Sequence, residues 1–338
     1  MIALVTGGTG FVGGFLTEKL VEDGWEVYCL VRKTSSLEYL QNLPVNLIYG
    51  DLFSLQLLSE VMGKITHVFH AAGVTRAPTS EYYHQTNGLG TYNLLQACAL
   101  QAKRLRLFVY VSSQAAAGPS PDGSPVREDQ VPRPVSIYGS SKLEGEIYCA
   151  RFQSQLPITI IRPPIVYGPR ERTLYRYLEK QLRYGIRLSF KRHARLISLI
   201  HVHDLVRGIL AAAVHPKSLG ETYFLANPEP YSWSQFFDSI ATVIDRKTIS
   251  VTIPLWIFPI IAALSRLCSK LSAKPTVLNF GRLNEMRYRF WVCSSEKARE
   301  QLGFTTSLSL EDGLRQTVDW YHQNEGFKKL KRTGKNNT

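Results

Sequence analysis

The sequence predicts an α/β fold in which helices cover both faces of a doubly wound parallel sheet, joined to a smaller, mainly C-terminal lobe. Three observations carry this prediction. Short apolar runs alternate with segments whose apolar residues recur at helical spacing, a glycine-rich turn joins the first strand to the first helix, and the alternation weakens after Tyr167. Strands that alternate with helices form parallel sheets, because each helix returns the chain to the same end of the sheet.

The elements are predicted in order along the chain. Residues 2–5 form a short apolar strand, and residues 11–21 carry apolar side chains at the spacing of a helix. Further strands are predicted at residues 26–31, 45–49, 67–70, 105–111 and 196–202, and further helices at residues 55–62 and 92–101. This is a Rossmann-type arrangement, in which ligands bind beyond the carboxyl ends of the strands.

Three units follow from this pattern. The Rossmann domain comprises residues 1–167 plus 196–226, and the substrate-binding lobe comprises residues 168–195 plus 227–325. The polar and basic residues 326–338 form a tail that we expect to be disordered.

The composition is that of a globular protein of 338 residues with 44% apolar residues, enough to bury a large core. The net charge of +13 is spread along the chain and concentrates only near its end, which argues against nucleic acid as a partner. An anionic small molecule or a membrane surface suits this charge. The five cysteines show no metal-ligand spacing, and no leader precedes the first strand. We therefore expect a cytoplasmic protein without a metal site.

The glycine-rich turn predicts a dinucleotide site. Gly7, Gly10 and Gly13 allow a tight turn, a close approach of a pyrophosphate and packing of helix on strand, while the helix N-terminus faces the anion. Glycine-rich turns also occur for steric reasons alone, but the position between a strand and a helix favours binding. The residues expected to bind are Thr6, Gly7, Thr9, Gly10, Phe11, Val12 and Gly13.

The end of the second strand indicates which cofactor binds. An acid there would accept hydrogen bonds from the ribose of NAD, whereas this chain has Arg32 and Lys33, which suit a 2'-phosphate. We therefore expect NADP(H) to be preferred over NAD(H), although a solvated strand end would look the same. Asp51 could accept a hydrogen bond from the adenine amino group, and it could at the same time cap the helix that starts near Ser54. Cofactor contacts are also expected at Leu52, Ala71, Ala72 and Gly73.

An acid/base pair is predicted at Tyr138 and Lys142. Four residues apart in a helical segment, the phenol and the ammonium group lie on one face. A cation near a phenol lowers its pKa, which lets the tyrosine exchange a proton at neutral pH. A surface tyrosine and lysine are the usual outcome of such spacing, but Ser113 at a strand end and the glycine turn favour catalysis.

Together these residues resemble the extended short-chain dehydrogenase/reductase family, within the NAD-dependent epimerase/dehydratase superfamily. The resemblance covers nearly the whole chain. It rests on the segments at residues 6–13, 50–52, 70–73, 87–91, 111–113, 138–142, 162–169 and 201–205.

The resemblance implies a role for each matched residue. Tyr138 would be the general acid or base, while Lys142 would bind the nicotinamide ribose and lower the tyrosine pKa. Ser113 would hydrogen-bond the substrate oxygen, and Asn87 would support the cofactor and active-site region. The nicotinamide would be lined by Pro163, Ile165 and Val166.

The resemblance leaves the substrate open between two branches. Residues 162–170 lack the asparagine common in nucleotide-sugar members, and Ala117 stands where many of those have a tyrosine. These departures favour the dihydroflavonol-reductase and 3β-hydroxysteroid-dehydrogenase branch, so we expect hydride transfer between nicotinamide and a secondary alcohol or ketone of an apolar or polycyclic substrate. A nucleotide-sugar epimerase or dehydratase with tightly bound NAD(P) is the alternative, and a catalytically silent dinucleotide sensor is another.

Two features bear on partners. The apolar run at residues 253–264 is shorter than the ~20 residues that span a bilayer, and a core helix, a pocket wall and an interfacial helix all stay open. Arg195 is the best candidate for a cation in the substrate pocket. We expect a small-molecule substrate and no nucleic acid, with peripheral membrane contact and a homodimer as open alternatives.

Overall fold

The computed structural model describes residues 1–171, 186–190, 195–245, 249–253 and 284–324. The predicted tail at residues 326–338 and nearly all of the apolar run at residues 253–264 lie outside these ranges. None of the helices in the described ranges is both long enough and apolar enough to cross a bilayer.

The described strands are short. They are β1 (Ile2–Thr6), β2 (Glu26–Val31), β3 (Asn46–Tyr49), β4 (His67–His70), β5 (Leu107–Val111), β6 (Ile158–Arg162), β7 (Ile165–Tyr167), β8 (Ile186–Phe190), β9 (Leu196–Ile197), β10 (Leu199–His201), β11 (Thr222–Phe224), β12 (Tyr231–Ser232), β13 (Ile249–Ile253) and β14 (Phe290–Trp291).

The described helices connect these strands. They are α1 (Phe11–Glu22), α2 (Leu55–Met62), α3 (Ser80–Tyr83), α4 (Gly90–Gln101), α5 (Gln114–Ala117), α6 (Ile137–Phe152), α7 (Val202–Val214), α8 (Trp233–Val243), α9 (Glu296–Leu302) and α10 (Leu310–Asn324), with a π-helical turn at His84–Leu89 and a 3-10 turn at Pro216–Ser218.

A seven-stranded parallel sheet forms the centre of the fold, in the order β11-β6-β5-β4-β1-β2-β3. The predicted fold class is confirmed. The strand order reverses at β1, so β1 and β4 lie side by side at the switch point where ligands of such sheets bind. The glycine turn after β1 and residues 71–73 after β4 therefore lie at the same edge of the sheet.

Both faces of this sheet are buried at central strands such as β1 and β5, which explains why these strands are apolar without alternation. Along β1, Val5 packs in a cluster with Leu16 of α1 and Leu205 of α7, whereas Leu4 packs in a second cluster with Leu94 of α4. Successive residues thus point to opposite helical layers. The helices cover the sheet as the alternating pattern predicts.

The strand predicted at residues 196–202 differs in the structure. It divides at Ser198 into β9, which pairs with β12 and β14, and β10, which pairs with β7, and the chain is already helical from Val202. Ser198 lies at the point where the chain passes from one sheet to the other. Its hydroxyl oxygen accepts a hydrogen bond from the amide of Cys293, two residues after β14, at 3.0 Å. Apolar periodicity predicts an extended chain but does not identify the partner strand.

Candidate functional site

The turn between β1 and α1 closes tightly on its own backbone. Gly7 has φ +78°, a region that favours glycine, and its carbonyl oxygen accepts from the amide of Gly10 at 2.9 Å. A Cβ atom on Gly13 would overlap that same carbonyl oxygen. Gly7 and Gly13 therefore allow strand, turn and helix to pack together.

Gly10 is exposed, and the protein packs less closely around it than around Gly7 and Gly13. A Cβ atom on Gly10 would meet only the Gly7 carbonyl oxygen, at 3.2 Å, so the turn is open at this point. Within the described residues no side chain caps the start of α1, and the first turn of α1 contains no acid. The amides at this helix N-terminus are thus left for an anion, which fits the pyrophosphate of a dinucleotide. Thr9 and Phe11 flank the opening as half-buried residues, while Val12 packs against the core.

Small residues line the place where β4 ends. A Cβ atom on Gly7 would lie 2.6 Å from the amide nitrogen of Ala72 and 2.8 Å from the carbonyl oxygen of Ala71. A Cβ atom on Gly73 would lie 3.8 Å from the Nζ atom of Lys142. The structure therefore brings the glycine turn, residues 71–73 and Lys142 together.

A directed chain of hydrogen bonds runs behind this edge. The Thr91 hydroxyl donates to the carbonyl oxygen of Asn87 at 2.7 Å, so it accepts from His70 Nε2 at 2.9 Å. His70 Nδ1 then accepts from the Thr6 hydroxyl at 2.6 Å. Burial, with the nearby charge of Lys142, lowers the pKa of His70 to about 3, so its ring is neutral. His70 is a fully buried core histidine.

Asn87 lies within the π-helical turn, a rare geometry that is frequent at functional sites. Its Nδ2 atom donates to the carbonyl oxygen of Val74 at 3.0 Å and to the Ser141 hydroxyl at 2.9 Å, while its Oδ1 atom accepts from the amide of Val74 at 2.8 Å. The side chain is fully buried. Asn87 thus joins the chain after β4 to α6 and holds both in place.

The start of α6 lies directly against α5. The Ser136 hydroxyl oxygen caps α6 by accepting from the amide of Gly139 at 3.0 Å, and a Cβ atom on Gly139 would overlap the carbonyl oxygen of Ala115. Tyr138, half-buried between these residues, has its ring centroid 6.4 Å from that of Tyr83. The absence of a side chain at position 139 brings Tyr138 next to the segment that begins at Ser113.

Ser113 caps the short helix α5. Its hydroxyl oxygen accepts from the amide of Ala115 at 3.1 Å, and its side chain is half-buried. In the part of the chain that the structure describes, its hydroxyl hydrogen has no acceptor. Ser113 can therefore donate to a ligand without losing its role as a cap.

Lys142 is buried on the face of α6 that bears Tyr138, with 3% of its surface exposed. Its Nζ atom donates to the carbonyl oxygen of Val111 at 2.7 Å and lies 4.2 Å from the ring centroid of Tyr110. Burial lowers the pKa of Lys142 to about 7, against the opposing charge of Glu146. The ammonium group can thus lose or regain its proton near neutral pH.

A buried ion pair next to this site was missed by sequence reasoning. The guanidinium group of Arg162 donates to Glu146 through Nε at 3.0 Å and through a terminal nitrogen at 2.6 Å, and both side chains are 6% exposed. The hydroxyl group of Ser112 also donates to Glu146, at 2.5 Å. Arg162 is therefore neither solvated nor free for a phosphate. The sequence signal was an arginine at the end of a strand that contains three isoleucines.

The carboxyl end of β2 is exposed. Arg32 and Lys33 are both open to solvent, and neither forms an ion pair with an acid in the described ranges. The carbonyl oxygen of Arg32 accepts from the amide of Ser35 at 2.9 Å, which turns the chain back after the strand. These two cations are available to an anion from outside the protein.

The loop after β3 contains two of the predicted cofactor contacts, Asp51 and Leu52. Asp51 does not cap α2 directly, because its carboxylate accepts from the amide of Phe53 at 2.9 Å and from the hydroxyl of Ser54 at 3.1 Å. Asp51 itself is exposed. The side chain of Leu52 is buried, and a Cβ atom on Gly90 would lie 2.8 Å from it, so Leu52 packs under α4.

The remaining predicted residues lie after β6 and before β9. Pro163 is buried, and its carbonyl oxygen accepts from the amide of Gln114 at 2.8 Å, next to Ser113. Arg195 donates to the main-chain carbonyl oxygens of Met286 at 2.6 Å and Tyr288 at 3.2 Å. Its guanidinium group therefore holds a neighbouring segment. The half-buried residues of β7 in this region are Ile165 and Val166.

Comparison with known proteins places these features in a family. The model of the NAD dependent epimerase/dehydratase family matches residues 3–226. A ceramide reductase of Caulobacter vibrioides is 27% identical over 95% of this chain and 94% of its own, and a putative dihydroflavonol 4-reductase of Synechocystis is 32% identical over 96% and 95%. The solved structure of UDP-glucose 4-epimerase from Thermotoga maritima shares the fold, with a TM-score of 0.78 at 22% identity over 95% of this chain and 99% of that one.

The family match covers all seven strands of the central sheet, and the relatives match along nearly the whole chain. Members of this family include NAD(P)-dependent reductases, dehydrogenases and epimerases. The chain belongs to the NAD-dependent epimerase/dehydratase family, within the extended short-chain dehydrogenases/reductases.

Proposed function

We propose that the protein is an NADP(H)-dependent oxidoreductase that transfers hydride between nicotinamide and a secondary alcohol or ketone of an apolar or polycyclic substrate. One observation carries the proposal. The buried ammonium group of Lys142 lies on the Tyr138 face of α6, at the ends of β4 and β5, with a pKa lowered to about 7. A titratable cation at this position suits proton transfer at neutral pH.

Each side chain of the proposed site has its own role in the reaction. The nicotinamide cofactor, when bound, supplies or accepts the hydride. Tyr138 donates a proton to the carbonyl oxygen during reduction and removes it during oxidation, while Ser113 donates a hydrogen bond to the same oxygen. Lys142 in its charged form stabilises the tyrosine phenolate and binds the nicotinamide ribose. Asn87 keeps α6 in register with the chain after β4 through its three hydrogen bonds.

Cofactor binding follows from the same edge of the sheet. The open turn at Gly10 and the uncapped start of α1 hold the pyrophosphate. The exposed Arg32 and Lys33 bind the 2'-phosphate of NADP(H), which accounts for a preference over NAD(H). Asp51 binds the adenine amino group. Nicotinamide contacts come from Pro163, Ile165 and Val166.

An apolar or polycyclic substrate is supported by two observations. Ala117 is buried in an apolar cluster with Val126 and Phe224, so the position offers no hydroxyl group to a sugar. The ceramide reductase and the putative dihydroflavonol 4-reductase are named for the reduction of a lipid and of a polycyclic compound. The match to UDP-glucose 4-epimerase supports the fold but not the substrate.

The experiment uses the purified protein. We expect NADPH to be consumed, as followed by its absorbance, when a panel of hydrophobic ketones is added, and the dinucleotide to exchange freely during dialysis. A matched panel of nucleotide sugars should neither stabilise the protein thermally nor be converted. A retained, non-exchanging dinucleotide together with conversion of a nucleotide sugar would establish the epimerase instead.

A further inference from the structure

Glu146 lies one helical turn beyond Lys142 on α6, on the face that also bears Tyr138. We infer that Glu146, fixed by Arg162, is a positioning residue that keeps the Lys142 ammonium group charged and in place beside the reacting atoms. The inference rests on the proposed function, because Lys142 must be part of the site. The carboxylate acts through Lys142 and does not itself touch the substrate.

The carboxylate of Glu146 is held from two strands. Arg162 of β6 binds both of its oxygens, and Ser112, the residue that follows β5, donates to one of them. Bidentate arginine pairs fix direction as well as distance. All three side chains are buried, so the carboxylate has one position relative to α6, β5 and β6.

Three consecutive residues at the carboxyl end of β5 make different contacts. The carbonyl oxygen of Val111 accepts from Lys142, the hydroxyl group of Ser112 donates to Glu146, and Ser113 follows with its free hydroxyl hydrogen. A shift of α6 would therefore break the Glu146 contacts as well as the Lys142 contact. The ion pair keeps Lys142 in register with Ser113.

The charge on Glu146 also acts on Lys142. Burial lowers the pKa of Lys142, while Glu146 and then Cys149 on the same helix raise it. From the sheet, Lys142 faces the Tyr110 ring of β5 and the neutral His70 of β4. Among these neighbours Glu146 is the carboxylate, and it opposes the loss of the Lys142 proton.

The test compares variants with opposite electrostatic effects. Selective 13C labelling of lysine gives the pKa of Lys142 by NMR titration, with Lys142→Arg identifying its signal. Glu146→Gln should lower this pKa by about 1 pH unit, because an anion is lost and the Arg162 charge is left uncompensated. Arg162→Gln should raise it, because the Glu146 anion is then unopposed. A loosened helix would shift both variants in one direction.

A double variant protects the test against misfolding. Glu146→Gln combined with Arg162→Gln buries no unpaired charge, and we expect its Lys142 pKa to fall between those of Glu146→Gln and the wild type. Glu146→Asp, which keeps the charge, should stay near the wild-type value. An unchanged pKa in the double variant, or shifts of one sign in both single variants, would overturn the inference.

This titration needs neither cofactor nor substrate, so it separates the two proposals. If the pKa values move as expected while no ketone is reduced, the proposed function fails and the electrostatic coupling stands. If reduction occurs while the pKa of Lys142 is insensitive to Glu146, the coupling fails and the proposed function stands.

Discussion

The proposed site has two ends that are built in opposite ways. Around Lys142, which we call the buried region, the side chains of His70, Lys142 and Glu146 are almost wholly removed from water, and each forms a hydrogen bond within the protein. At the carboxyl end of β2, the exposed region, Arg32 and Lys33 stand in solvent without an acid partner in the described ranges. The two regions lie on one sheet.

The difference predicts different responses to substitution. In a buried network of hydrogen bonds each group depends on its neighbours, so a change there disturbs proton transfer or folding. Exposed charges are screened by water and salt, so a change there alters affinity by small amounts. The buried region should therefore determine the chemistry, and the exposed region the choice of cofactor.

The largest effect is expected for Tyr138→Phe. Removal of the phenolic proton should lower turnover by ~1000-fold or more, since proton transfer loses its donor, while NADPH affinity should stay within about twofold. Steady-state kinetics and fluorescence titration of NADPH measure the two quantities. Tyr82→Phe, which changes an exposed tyrosine of α3, is the control. Substantial turnover in the Tyr138 variant would remove the buried region from the chemistry.

The glycine turn between the two regions gives the next effect. Gly13→Ala places a methyl group on the Gly7 carbonyl oxygen, and we expect a loss of about 2–4 kcal/mol in the free energy of unfolding. Gly10→Ala meets only one atom at 3.2 Å, so it should fold normally but bind the dinucleotide at least ~10-fold more weakly. Urea denaturation and cofactor titration test the pair. Equal stability losses would contradict the assignment of an open face at Gly10.

We expect the buried His70 to make the free energy of unfolding depend on pH. Its pKa of about 3 in the folded state lies below the ordinary value of 6.5, so the unfolded chain takes up the proton first as the pH falls. This stabilising contribution is complete above pH 6.5 and is lost progressively toward pH 3. Between pH 7 and pH 5 the protonation of His70 in the unfolded chain should lower the free energy of unfolding by about 2 kcal/mol. The free energy of unfolding of His70→Gln should fall less over this pH range, by that same amount. Parallel pH curves for both proteins would show that His70 does not contribute.

The smallest effect is expected in the exposed region. Arg32→Ser should weaken NADPH binding by about tenfold and leave NADH binding unchanged, because only the former carries the 2'-phosphate. The difference should shrink as salt is added. Arg104→Ser, another exposed arginine, serves as the matched control. If NADH affinity fell equally, the exposed region would not select the cofactor.

The sequence predicts well whatever depends on local pattern. The strands at residues 26–31 and 67–70 and the helix at residues 55–62 agree with β2, β4 and α2 at both ends. Apolar runs and glycine positions depend on neighbours along the chain, so they can be read from it. The edge of the sheet where the motifs meet follows from parallel pairing alone.

Pairings between distant residues escaped prediction. Glu146 and Arg162 are 16 positions apart and meet only because α6 packs across β5 and β6. The hydrogen bonds from Asn87 to Val74 and Ser141 likewise require the π-helical turn, for which the sequence carries no distinctive signal. The change of sheet at Ser198 depends on the placement of β14, far along the chain.

Two glycines of α6 allow the helix to pack closely on its neighbours, and this bears on how the protein loses activity. At Gly139 the helix backbone lies against the carbonyl oxygen of Ala115, and at Gly145 it lies against the hydroxyl group of the fully buried Tyr110, so neither contact leaves room for a displacement. The helix can therefore pack in only one position, and a partly unfolded molecule would not keep α6 in that position. Enzyme activity should therefore report on global unfolding, with activity and tertiary structure lost at the same denaturant concentration.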